Sequence, residues 1–503
     1  MALLRTKSIE ESIRDTEEPE HKLRKALGPI DLIVFGIGVV IGTGIFVLTG
    51  IAAATKAGPA VPLSFVSAGV ACALAALCYA EFASTVPVAG SAYTFSYASI
   101  GELIAWIIGW DLLLELALGA AAVAKGWSGY FATLFEDAGV KLPTSVVGEK
   151  ATVNLPALGI VLLITGIIIV GVQLSSRVNT VIVAVKLAVV VFVIGLGATA
   201  IKAANWHPFI PPPTAPIKAA NAADGGTPLI QLLTGSEPHA FGAGGIMLGA
   251  ALVFFAFIGF DVVATTAEEA RRPQRDLPLG IIGSLAICTV LYVAVSAVVT
   301  GMVSYKRLNV EAPLAFAFQA TGRSWAATIV SVGAIAGLTT VILTLLLGQS
   351  RVLFAMSRDR LLPPGLARVH PRFGTPYRIS LIVGIVVAVV TAFVPLTTLA
   401  DLVNIGTLFA FVLVSIGVIV LRRTRPDLPR AFRTPLVPLV PILAVIACVY
   451  LMLNLVDLTW IRFAIWMAAG LVVYFLYSRS HSRLAAPRVG AGRERNIGGG
   501  ETA

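Results

Sequence analysis

The chain has 503 residues, of which 57% are hydrophobic and 13% charged, with a mean hydropathy of +0.89 and a formal charge of +10. A water-soluble fold carries about a quarter of its residues charged, so a soluble protein is excluded: too little polar surface exists to cover it. Cys72, Cys78, Cys288 and Cys448 all lie inside apolar runs, which argues against a disulfide framework or a cysteine metal cluster.

In chain order, residues 1–27 are polar, with an acidic run at Glu10–Glu20 and basic Lys22, Arg24 and Lys25. No cleavable signal sequence is recognisable there, so this stretch is expected to be a tail. Apolar segments follow at 29–52, 60–84, 98–133, 157–174, 178–201, 244–267, 278–303, 326–354, 379–395, 398–421, 437–456 and 460–477. Each is about long enough to cross ~30 Å of hydrocarbon. The expectation is an all-α integral membrane protein of about twelve transmembrane helices: a transporter domain over 28–478 and a second tail over 479–503. The forty residues between segments five and six, rich in Pro, Ala and Gly, read as an aqueous loop.

Lys and Arg gather in alternate loops. If residue 1 lies inside, 25 of the 37 cations fall on that side, among them Arg271, Arg272, Arg275, Arg422, Arg423, Arg425, Arg430 and Arg433. Both termini are therefore expected to be cytoplasmic, in the cell membrane. The positive charge is a topology signal with attraction to membrane lipid; no nucleic acid is expected as a partner.

Two segments contain helix-breaking sequence. Segment one reads Gly36-Ile37-Gly38-Val39-Val40-Ile41-Gly42-Thr43-Gly44-Ile45-Phe46, four glycines in nine residues, and segment six reads Phe254-Phe255-Ala256-Phe257-Ile258-Gly259-Phe260-Asp261. Glycine costs about 1 kcal/mol in a helix relative to Ala, and unwound backbone survives in lipid only where it lines a cavity or is buried in protein. The breaks hold corresponding places, first in one block of five segments and first in the next, as in inverted-repeat transporters. Helix-start amides at Thr43, Gly44 and Ile45 suit a carboxylate; carbonyls of Phe255, Ala256 and Ile258 suit an ammonium. Together they match the zwitterionic core of an L-amino acid. The competing reading of the glycines is close helix packing.

Intramembrane charges are functional candidates. Lys186 lies deep in segment five. Asp111 and Glu115, four residues apart, share one helix face and are candidates for gating or a proton relay, or for structural pairing; Asp261 could join such a relay or fix the broken helix. Glu81 reads as packing at the inner end of segment two. The mixed-charge stretch Glu268–Asp276 is a solvated loop or an inner gate. The five histidines fall in tails and loops, and no metal spacing is present.

Several motifs together resemble the amino acid–polyamine–organocation superfamily, and within it the bacterial relatives of cationic amino acid transporters. They are Ile41-Gly42-Thr43-Gly44-Ile45-Phe46, Tyr79-Ala80-Glu81-Phe82, Pro87-Val88-Ala89-Gly90-Ser91-Ala92-Tyr93, Gly109-Trp110-Asp111, Phe257-Ile258-Gly259-Phe260-Asp261, Glu268-Glu269, Pro273-Gln274-Arg275-Asp276-Leu277-Pro278 and the stretch Arg351 to Arg358. The resemblance spans roughly residues 25–480. It implies a leucine-transporter-type 5+5 inverted repeat (segments one to five and six to ten) with two extra helices, and alternating access. The substrate carboxylate would sit on the backbone near Ile41, Thr43, Gly44 and Ile45, and the amine on the Phe255, Ala256 and Ile258 carbonyls, with Phe255 as a gate. Lys186 would stand in for a sodium ion between segments one and eight. No cofactor, metal or catalytic residue is implied. Proton-coupled import is the expected activity; a sensor on a transporter fold or an amino acid exchanger is the alternative. Segment eight carries no acid over Gly333–Gln349, which favours small or neutral substrates.

Overall fold

The computed structural model describes residues 25–85, 91–148, 151–171, 176–215 and 226–484. The motif residues Pro87, Val88, Ala89 and Gly90, most of the two tails, Lys150 and Lys218 lie outside them. Within them the chain is helical, and β-pairing is confined to three isolated bridges.

Eight helices are long and apolar enough to cross a membrane, and four shorter apolar helices accompany them: Pro29–Val40, Leu155–Val170, Tyr377–Phe393 and Leu439–Leu453. Their starts and stops follow local chemistry. Segment one begins with Pro29 in the first turn, and the Gly28 amide donates to the Asp31 carboxylate at 2.9 Å. Segment four starts where Asn154 Oδ1 accepts the Ala157 amide at 3.1 Å, and it ends on Gly171 at φ +79°, the left-handed cap that glycine adopts without strain. Segment seven, Pro273–Met302, opens with Asp276 accepting the Arg272 amide.

Two expectations need correction and a third gains detail. The second half of segment one and all of segment two form one helical run, Gly44–Thr85, turned at Gly58 with φ +64°. Segment three does not begin at 98. A separate helix, Ser91–Ser99, stops at Gly101 (φ +134°), and segment three proper is Glu102–Asp137. The described residues of the stretch between segments five and six, 202–215 and 226–243, carry local structure within the expected loop. They contain helical turns at Ala203–Trp206 and Leu229–Thr234, and Thr214 pairs with Ala240.

Segments three and six form the centre: 83% and 89% of their most apolar stretches are buried, against 33% and 22% for segments five and twelve. Segment eight, Ser324–Arg358, packs along segment three, and segment ten, Leu396–Thr424, closes its other side. Aliphatic side chains left exposed, such as Leu163, Val181, Val389, Ile446 and Ile465, fall on the outer segments, as lipid-facing surface requires.

Candidate functional site

Segment one breaks at Ile41. Its first half ends with the Ile41 amide bonded to the Ile37 carbonyl at 2.9 Å, and Ile41 itself is extended at ψ 95°. The first backbone bond across the break is Phe46 N–H to Gly42 O at 3.3 Å. The amides between, Gly42 to Ile45, head the second half-helix, and the carbonyls of Gly38, Val40 and Ile41 lose their helical partners, as helix ends must.

Side chains from two other segments supply donors to those carbonyls. Lys186, fully buried, donates to Gly38 O at 2.6 Å and to Ile41 O at 3.5 Å. Its aliphatic stem lies on Gly337 of segment eight, where a Cβ would come within 2.9 Å of it. Lys186 thus spans segments five, one and eight. Tyr292 of segment seven places its hydroxyl 2.7 Å from Val40 O and 2.8 Å from Ala256 O. A hydroxyl has one proton to donate, so the two carbonyls, one from each break, share that donor. Nothing in the apolar run around Tyr292 marked it; a lone mid-segment tyrosine was the only available signal.

Segment six breaks at Ile258 and Gly259. The helix Gly242–Val253 tightens into Phe254–Phe257, Ile258 is extended at ψ 138°, Gly259 takes φ +111°, and tighter helical turns resume over Asp261–Glu269. A Cβ on Gly259 would lie 2.6 Å from Val39 Cγ1, so glycine is required there for conformation and for space. Asn404 of segment ten takes the Ala251 and Leu252 carbonyls at 2.8 and 3.3 Å. Ile258 N–H reaches Phe255 O at 3.3 Å. Of the three carbonyls expected to face an ammonium, those of Phe255 and Ala256 therefore already accept a hydrogen bond.

The breaks touch. A Cβ on Gly44 would collide with the Ala256 backbone. Thr43 turns its side chain to Gly126 of segment three, and Tyr130 holds Phe46 O at 2.7 Å. The glycines of segment one divide between both sequence readings. Gly36 packs against Ser284 and Gly38 against Val183, while Gly42 has ordinary clearance and Gly44 meets the other break. Ile41 and Ile45 are fully buried; Phe255 and Ile258 are nearly so.

The carboxylates gather in one region. Asp111, Glu115 and Asp261 are all buried, and Glu115 feels the charge of both others. Both Asp111 oxygens, Glu115 Oε1 and Asp261 Oδ1 have no hydrogen-bond partner among the described residues. Asp111 rests on Gly406 of segment ten, and Gln349 of segment eight joins the region by donating to Leu113 O at 3.3 Å. Sequence spacing found the shared face of Asp111 and Glu115, but not Gln349 or the proximity of Asp261.

At the end carrying residues 27 and 270, the start of segment one pairs with the exit of segment six. Ala26 and Leu27 amides donate to Glu269 O, and Arg271 N–H donates to Leu27 O. Arg351 of segment eight meets Glu269 at 3.3 Å, and Tyr93 donates to Asp359 at 2.8 Å. The mixed-charge stretch is therefore partly engaged in contacts, not simply solvated. Glu81, expected as packing, is a buried ion-pair centre held by Arg422.

A helical membrane protein whose two interrupted segments meet at its centre, backed by a buried lysine, is built as a small-molecule carrier is built. The family described as amino acid permease matches residues 27–476, and the chain belongs to it, a family of transporters and not of enzymes. The chain is 48% identical over 491 residues to the branched-chain amino acid permease BcaP of Bacillus subtilis (96% of this chain, 99% of the relative). It is 47% identical over 488 residues to the methylthioribose transporter of the same organism, with the same coverage. Human cationic amino acid transporter 4 is 38% identical over 433 residues, 85% of this chain and 64% of the relative.

Proposed function

We propose that this protein imports amino acids across the cytoplasmic membrane together with protons, by alternating access. The reading takes twelve crossings, with segments one to five and six to ten as inverted repeats, segments eleven and twelve added outside, and both termini cytoplasmic. The observation that carries it is the contact of the two breaks at Gly44 and Ala256. It sets the amides that head one half-helix beside the unwound carbonyls of the other. The substrate carboxylate binds near Ile41, Thr43, Gly44 and Ile45, and its amine near Phe255, Ala256 and Ile258. The surrounding side chains are aliphatic and aromatic, which favours an apolar substrate such as a branched-chain amino acid, in keeping with the relative named for that class.

Lys186 is the coupling group: the carbonyls it holds belong to a break that must rearrange when access switches, and losing them frees its proton. Asp111, Glu115 and Asp261 form the relay, because a buried acceptor without a donor is what a transferable proton fills. A specific observation favours a second reading of the substrate: the relative named for methylthioribose is as similar as the one named for branched-chain amino acids.

Uptake into proteoliposomes under a pH gradient, with a competition panel of the twenty amino acids, their deaminated analogues and methylthioribose, tests these assignments. Competition by branched-chain amino acids and none by deaminated analogues is expected. Strong competition by the analogues removes the amine site, exclusive competition by methylthioribose removes the amino acid reading, and a strict sodium requirement removes proton coupling. Saturable binding without flux would mark a sensor.

A further inference from the structure

The linker between segments ten and eleven is tied down from beneath. Glu81 of segment two, 2% exposed, accepts Arg422 Nε at 2.9 Å, Arg422 Nη2 at 2.7 Å and the Thr434 amide at 2.8 Å, and Arg430 Nε stands 3.3 Å away. Arg422 also donates to Thr434 O at 2.8 Å, and Ser84 and Phe432 bond each other. Arg430 returns to the Leu421 and Arg425 carbonyls. One carboxylate thus holds two guanidinium groups and an amide, and residues 422–434 form a fixed plate.

That plate leaves two cations over. Arg423 and Arg433 are exposed, each next in sequence to one end of the Arg422–Thr434 bond, and neither has a partner among the described residues. Arg425, by contrast, faces Asp427 at 3.7 Å. Directly after them the chain turns apolar and outward: Leu436 is 72% exposed and Leu439 52%, followed by Ile442 and Leu443. Two exposed guanidinium groups that flank one tie and have no partner among the described residues, followed in the chain by exposed aliphatic side chains, match a molecule with a phosphate at one end and hydrocarbon at the other.

We infer that Arg423 and Arg433 bind the phosphate of an anionic phospholipid whose chains lie over Leu436 and Leu439. Free phosphate would make no use of the leucines. The inference rests on the membrane placement proposed above but not on the transported substrate.

The full-length protein in nanodiscs of phosphatidylcholine with a minor fraction of phosphatidylglycerol, released and weighed by native mass spectrometry, reports co-purifying lipid. Wild type should retain phosphatidylglycerol preferentially. Arg423→Gln/Arg433→Gln, which leaves the Glu81 contacts intact, should lower that preference by about twenty-five-fold, at about fivefold per arginine. Arg368→Gln/Arg372→Gln, two arginines of another loop, should leave it unchanged. Equal losses in both pairs would reduce the effect to general surface charge and overturn the site, as would an unchanged Arg423/Arg433 variant. Competition by millimolar inorganic phosphate alone would overturn the lipid as occupant. Amino acid uptake by the same variants in proteoliposomes separates failure of this site from failure of the transport reading.

Discussion

The two breaks solve one problem in opposite ways. In segment one the chain leaves the helix at Ile41 and re-enters within three residues, so it offers amide groups at a new helix start; its orphaned carbonyls are held by Lys186 and Tyr292. In segment six the helix tightens before it breaks and resumes as tighter turns after Gly259, and the Phe255 and Ala256 carbonyls accept from Ile258 N–H and the Tyr292 hydroxyl. On the proposed reading, the amides of the first break meet the substrate carboxylate and the carbonyls of the second meet its amine. The glycines differ to match: Gly44 is needed for space, whereas Gly259 is needed for a backbone angle as well. The Tyr292 hydroxyl lies between the two breaks, within hydrogen-bond distance of one carbonyl from each.

The contrast can be broken first at its contact point. Gly44→Val should abolish measurable substrate binding, because its side chain cannot share space with the Ala256 backbone; overpacking of this kind costs about 1–3 kcal/mol or more. Scintillation proximity binding on monodisperse protein measures it, and wild-type affinity would remove the site from Gly44. Lys186→Arg should keep substrate binding yet lose pH-driven accumulation in proteoliposomes, since arginine keeps the charge but cannot release it. Lys186→Ala should lose both. Unchanged accumulation by the arginine variant would transfer coupling to the carboxylates Glu115 and Asp261.

Gly259→Ala tests conformation in place of space. Strain at φ +111° costs on the order of 1–3 kcal/mol, to which contact with Val39 adds, so a lowered melting temperature in detergent is expected with weakened binding. Tyr292→Phe keeps the ring packing against Phe65 and Phe257 but strips the donor from two carbonyls, at about 1–3 kcal/mol if they stay dry. Uptake should slow with a modest loss of affinity, and no change would show that the breaks are not joined through it. Gly42→Ala should have the smallest effect. Its Cβ meets only Val341 and Val123 at 3.6 Å or beyond, so a large loss there would shift the carboxylate position from Gly44 to Gly42.

Much of the architecture was legible because lipid imposes simple rules on sequence. Apolar length marked the helices, and clustered glycine and Gly259 marked where segments one and six open. A lone lysine in an apolar run was conspicuous, and Lys186 does reach segment one and lie on segment eight. The limits were equally physical. Gly101 separates Ser91–Ser99 from segment three by its backbone angle, which hydropathy does not register. Glu81 looked like packing because its partners, Arg422 and Arg430, lie more than three hundred residues away in the chain.

By itself, then, the sequence determined the class, the breaks and the kinds of charge placed in the membrane, all of which follow from composition and local pattern. Tertiary structure alone decided which of those groups meet. Asp261 joins Asp111 and Glu115, Lys186 meets the Gly38 carbonyl of segment one, and the Tyr292 hydroxyl lies within hydrogen-bond distance of both Val40 O and Ala256 O. Hydropathy records what each residue prefers as surroundings; a hydrogen bond between segments depends on helix rotation and crossing, which only packing against other helices sets.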